Sequence, residues 1–229
     1  MALILTIETA TDICSVGLAR NGKPIYHKEA VGTFQHASQI TLLIADCAQT
    51  AGIQLEELDA VAVSAGPGSY TGLRVGTSTA KGICYALNKP LLAVDTLQSL
   101  AHACQLDHPD DAFFVPMIDA RRMEVYTAVF DNHAQALTAP EAKVIDETAF
   151  AEWLEQGKPI YFCGDGAEKC RKTLPEPAFQ FVSILCSANH LAPLAEQAFQ
   201  AGRFADMAYF APFYLKPPNI TKSKKNILG

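Results

Sequence analysis

The sequence is short of charge, of long apolar runs and of paired metal ligands. Asp, Glu, Lys and Arg make up 18% of the 229 residues and hydrophobic residues 49%, a balance that excludes intrinsic disorder. The formal net charge of −6 excludes a bulk electrostatic pull toward nucleic acid. No apolar run approaches a membrane span, and Met1-Ala-Leu-Ile-Leu lacks the basic start of a secretory signal. A cytoplasmic protein without membrane contact is expected. The cysteines number seven, an odd count, and none forms Cys-x-x-Cys, so they read as reduced, mostly buried thiols. His27, His36, His102, His108, His133 and His190 fall at no paired spacing, and no metal site is expected.

Two well-known glycine motifs are missing as well, although the glycine-rich run 66–82 invites both. A phosphate loop starting at Gly66 would need Gly-Lys where Thr71-Gly72 stands. A nucleophile elbow on Ser69 would need glycines where Pro67 and Thr71 stand, and Ser78, between Gly76 and Ala80, should lie well inside a helix. What remains is a tight turn from a buried strand into a helix, with Ser69 or Thr71 placed to cap it. Gly76, Ser78, Ala80, Gly82 and Ala86 would let another backbone approach that helix closely. Packing of helix on sheet is the favoured reading. The alternative is a phosphate, carboxylate or partner carbonyl bound at the open first turn.

Along the chain, residues 2–8 form an apolar run ending on Glu8, and residues 13–20 alternate as a strand. Asn21-Gly22 signals a hairpin whose return strand begins at Pro24. A helix is expected over 36–51, with Ile40, Leu43, Ile44, Cys47 and Ala48 on one stripe, Leu42 off it and Gly52 as the stop. A strand over 60–65, the glycine turn, a helix to Leu87, a strand over 91–94 and a helix over 96–104 complete the first half. The polar segment 105–111 marks a boundary. Beyond it the order repeats: strands over 113–119 (ending on Asp119), 124–131 and 142–146, a helix over 147–155, a strand over 159–163 and the turn Gly164-Asp-Gly166. A short helix, a strand over 179–182 and a helix over 187–200 follow. The expected lobes are 1–106 and 107–216, with a basic extended tail over 217–229.

A duplicated βββαβαβα unit with a reduced second half, each half opening on an acid-ended strand, resembles the actin, sugar-kinase and chaperone-ATPase superfamily, an α/β fold of RNase H-like domains. Particular residues narrow this. Ile7-Glu-Thr-Ala-Thr-Asp12, Cys14-Ser-Val16, the run from Ala65 to Gly76, Ala80-Lys-Gly82, Ile118-Asp-Ala-Arg121, Glu124-Val-Tyr126 and Pro212-Phe-Tyr-Leu-Lys216 look like the bacterial TsaB (YeaZ) family, also called glycoprotease-like. The likeness runs from Met1 to about Lys216.

The resemblance implies a non-catalytic subunit of the complex that makes N6-threonylcarbamoyladenosine at position 37 of tRNAs reading A-starting codons. Its implied partners are a catalytic paralogue, TsaD, an ATPase, TsaE, a second copy of itself and, through the complex, tRNA. Where the paralogue carries a His-x-x-x-His metal pair, this chain keeps His102 alone. The alternatives are a metallo-glycopeptidase, opposed by that missing pair, and a kinase-like phosphotransferase, opposed by Thr9–Asp12 lacking glycine and base. A free-standing nucleic-acid binder is opposed by the acidic body. Partner contacts are expected at Gly66, Gly68, Ser69, Tyr70, Thr71, Arg74, Gly76 and Gly82. Glu8, Asp119, Gly164 and Gly166 are the candidates for nucleotide or Mg²⁺. No tightly bound cofactor is expected, and ATP or ADP only at the junction with the paralogue. Arg121-Arg122 reads as a solvated turn or a phosphate contact. Lys216, Lys222, Lys224 and Lys225, with no acid among them, make the tail a tRNA contact or a solubilising end in equal measure.

Overall fold

The protein is described by a computed structural model covering residues 2–32, 36–174 and 179–217. The tail beyond residue 217, on which part of the RNA expectation rests, lies outside the described residues.

Strand β1 (Leu3–Glu8) is buried along its whole length, because helices cover both faces of its sheet. It pairs antiparallel with β2 (Ile13–Arg20), which turns at Asn21-Gly22 into β3 (Lys23–Val31). Helix α1 (His36–Ala51) packs on β2 and β3, where Ile40, Leu43, Ile44 and Cys47 join Cys14, Val16 and Leu18 in one core and the Cys47 thiol donates to Val16 O. A single 3-10 turn (Leu55–Glu57) leads to β4 (Ala60–Ser64), parallel to β1. Helix α2 (Tyr70–Leu87) follows the glycine turn and ends on Asn88 in the left-handed conformation. Strand β5 (Leu91–Val94) closes the sheet order β3-β2-β1-β4-β5, and α3 (Thr96–Asp107) starts on an Asp95 cap.

The second half repeats this order with β6 (Phe113–Asp119), β7 (Glu124–Thr127), β8 (Glu141–Val144), α4 (Ala151–Leu154), β9 (Ile160–Cys163), α5 (Ala167–Cys170), β10 (Phe179–Phe181) and α6 (Ala188–Gln200). Its sheet runs β10-β9-β6-β7-β8, the same topology as the first. The reduction falls on the helices: α1 and α2 have 16 and 18 residues, α4 and α5 four each. Two expectations are shortened here. The strand expected over 124–131 stops at Thr127, and Phe130 makes only isolated bridges to Phe114 and Ala136. The helix expected over 147–155 shrinks because Asp146 holds Thr148 in a side-chain-bonded turn and Phe150 takes a left-handed conformation.

The third helix of each half crosses to the other sheet. Leu97, Leu100, Ala101 and Cys104 of α3 pack on Phe114, Ile118, Tyr161 and Cys163 of the second sheet. In return, Leu191, Leu194 and Ala195 of α6 cover Ala2, Ile4, Ala60, Ala62 and Leu92 of the first. The start of α6 is pinned there because Ser15 Oγ accepts the Ala188 N–H at 2.9 Å and donates to Glu29, which also accepts from Ser187. A strap of residues 202–217 then returns across the molecule. Its Ala205 N–H donates to Leu91 O, its Phe213 N–H to Ala65 O, and Lys216 pairs with Glu124 on β7.

Candidate functional site

The carboxyl ends of β1 and β6 face each other where the two halves meet, and the site is built on them. Glu8 is wholly buried at the end of β1. Its Oε1 accepts the Ala10 N–H at 2.6 Å, while Oε2 has no partner. Burial pushes its carboxyl up to about 7, with the hydrogen bond from the Ala10 N–H pulling the other way and the Asp165 charge adding to the rise. Asp165 is itself raised to about 6, first by burial and then by the Asp119 and Asp12 charges, although the Asp119 N–H donates to it. Asp119, at the end of β6, is exposed and bound to Lys169, which also donates to the Glu124 carbonyl.

This floor is acidic, and the backbone on both sides of it is closely packed on the rest of the chain. Thr9-Ala10, the start of the turn after β1, is covered by the glycine turn: a Cβ on Gly68 or Gly72 would collide with the Ala10 or Thr9 carbonyl oxygen, and one on Gly76 with Thr9 Oγ1. Ser69 donates its N–H to Ala10 O at 2.6 Å and caps α2 through the Gly72 N–H. In the first turn expected to be open, the Gly72 N–H is therefore taken by the Ser69 cap. On the opposite side Gly164, at φ +96°, and Gly166 press on the Met117–Asp119 backbone, and their N–H groups donate to Ile184 O and Met117 O. Among the described residues no group of three His, Cys, Asp or Glu side chains is arranged to hold a metal ion.

The candidate partner-contact residues divide by direction. Gly66 is buried against Phe213 O, and Gly68 and Gly76 are spent on the Thr9-Ala10 turn. Ser69, Thr71, Arg74 and Gly82 face outward, with Tyr70 half-buried between them. Beyond them Ser78 and Tyr85, which is 81% exposed, continue the outer face of α2. On α1, Ala37, Thr41, Leu42 and Ala45 face out beside it, so Leu42 is exposed as its place off the stripe implied. The combined face holds almost no charge: Arg74 is its exposed cation, Lys81 is bound to Phe210 O, and Asp46 is paired with Lys28.

Sequence reading missed Asp165, Lys169 and the strap residues Phe213, Tyr214 and Lys216 as members of this region. An acid between two glycines after a strand was a usable signal for Asp165. The strap's Pro212-Phe-Tyr-Leu-Lys216 is marked in the sequence by its likeness to the family, and nothing local says where it lies.

Two matching sheets with exchanged helices define the class, an actin-like ATPase fold built from a duplicated half. Component A of the (R)-2-hydroxyglutaryl-CoA dehydratase of Acidaminococcus fermentans shares that fold alone, with a TM-score of 0.54 and 10% identity over 89% of this chain and 100% of its own. YeaZ from Pseudomonas aeruginosa is similar at a TM-score of 0.82 and 26% identity, over 94% of this chain and all of that one. The tRNA threonylcarbamoyladenosine biosynthesis protein TsaB of Escherichia coli K12 is 28% identical over 225 residues, 93% of this chain and 94% of its own. The family model for TsaD, tRNA N6-adenosine threonylcarbamoyltransferase, matches residues 30–225, and the chain belongs to that family as one of its TsaB (YeaZ) members.

Proposed function

We propose that this chain is a non-catalytic, cytoplasmic subunit in the formation of N6-threonylcarbamoyladenosine at position 37 of tRNA, and that it works by holding a catalytic paralogue. The observation that carries the reading is the plugged turn after β1. In this fold that turn is where a phosphate would be gripped, and here Gly68, Gly72 and Gly76 seat α2 directly on Thr9-Ala10. The second support is the surplus of helix in the first half. α1 and α2 present a broad face of small and apolar side chains with Arg74 as its exposed cation and no counterpart among the described residues of the second half, the composition of an interface core. The transferase whose family model matches this chain is a relative of the same descent, and it is the partner assigned to this face. A second copy of this chain would use the same face, and the TsaE-type ATPase would join the assembled pair. Any bound ATP or ADP belongs at the junction with the paralogue.

Depleting the protein should remove N6-threonylcarbamoyladenosine from total tRNA, read by nucleoside mass spectrometry, with other position-37 modifications retained. Purified protein and transferase should turn over only together. Retention of the modification after depletion would sink the reading.

A further inference from the structure

We infer that the β6–β7 turn, with the strap lying beside it, is a surface for an RNA strand. Arg121 and Arg122 hold consecutive left-handed backbone conformations there, at φ 72° and 52°. The hairpin between β2 and β3 uses the same pair of conformations, at φ 53° and 73°, and fills it with Asn21-Gly22, the residues that backbone prefers. Arginine is among the residues it disfavours, so turn geometry does not account for two of them in succession.

Charge supplies the other half of the argument. Both arginines are exposed, and neither has an ion pair among the described residues. The acids nearest in sequence are already answered by lysines: Asp119 by Lys169 and Glu124 by Lys216. Two guanidinium groups therefore stand without an ion-pair partner among the described residues, at the edge of the acidic floor, with the Arg121 N–H alone donating to Asp119. Guanidinium forks match phosphate oxygens in pairs. A polyanion whose phosphates repeat along its length can answer two adjacent guanidinium groups at once, which a single acidic side chain on a folded protein cannot.

The inference rests on the proposed role in tRNA modification. Its test replaces Arg121→Asn together with Arg122→Gly, which improves the turn while removing both charges. The full-length protein is assembled with the transferase, and binding of unmodified tRNA is followed by fluorescence anisotropy. Two lost phosphate contacts should flatten the salt slope by about 1.8, so wild-type affinity should fall about twelvefold further than the variant's between about 50 and about 200 mM salt. The charge-preserving pair Arg121→Lys and Arg122→Lys should keep most of that slope, and the Asn-Gly variant should melt no lower than wild type. Equal affinity and slope for wild type and the Asn-Gly variant overturn the inference. So does loss of transferase binding with RNA affinity intact, which would assign the arginines to a protein partner. A wild-type pair that binds tRNA through these arginines yet fails to restore the modification supports the inference and sinks the functional reading instead.

Discussion

Glu8 shows how much one burial decides. As a strand-end acid it has the sequence position of a metal or nucleotide ligand, yet its side chain is sealed, with one oxygen on a backbone N–H and the other unpartnered. A carboxyl raised from 4.5 to about 7 keeps its proton in the folded chain over a range where the unfolded chain has lost it. Stability should therefore be greatest below pH 4.5 on this group's account, fall as pH rises to about 7, and then level off. The full span is on the order of 3 kcal/mol. Glu8→Gln keeps a carbonyl for Ala10 and places its amide where Oε2 has no partner. Its melting temperature should exceed that of wild type at pH 8 and match it near pH 4. A variant that is less stable at pH 8 would mean that Glu8 is held ionised.

Helix α2 serves two surfaces, and its glycines separate them. Gly76 faces Thr9 inside the chain, so Gly76→Ala should cost the isolated protein roughly 1–3 kcal/mol through overpacking. Gly82 has nothing within 4 Å of a would-be Cβ. Gly82→Leu should therefore leave the thermal melt of the isolated chain within a few tenths of a kcal/mol of wild type, or raise it through better helix propensity. The same variant should weaken co-purification with the transferase and self-association. Normal association by Gly82→Leu would move the interface off this face.

At the scale of the molecule, the exchanged helices make the halves interdependent. A cut at residue 106 separates α3 from the sheet that buries Leu97, Leu100 and Cys104, and leaves the first sheet without Leu191, Leu194 and Ala195. Pieces 1–106 and 107–229 expressed apart should give no cooperative melt by circular dichroism, whereas co-expression should restore one. Two independently cooperative pieces would show that the crossing helices are dispensable. The strap adds a third tie, since it touches β5, the glycine turn and β7 in succession.

Local sequence determined most of the first half. Alternation in β2, the Asn21-Gly22 hairpin, the stripe of α1 and the Ser69 and Asp95 caps are short-range signals, and the elements fall where those signals place them. The repeat of element order was enough to give the duplicated fold. In the second half the same kind of signal overran at Thr127 and Phe150, because short elements are trimmed by neighbours rather than by their own periodicity. Tertiary structure alone decided which sheet each third helix covers, that the glycine turn faces Thr9-Ala10, that Glu8 is sealed and that Lys216 returns to Glu124. Each of these joins residues far apart in the chain, and a pattern that records only period, cap and turn holds no information about which distant surface completes the burial.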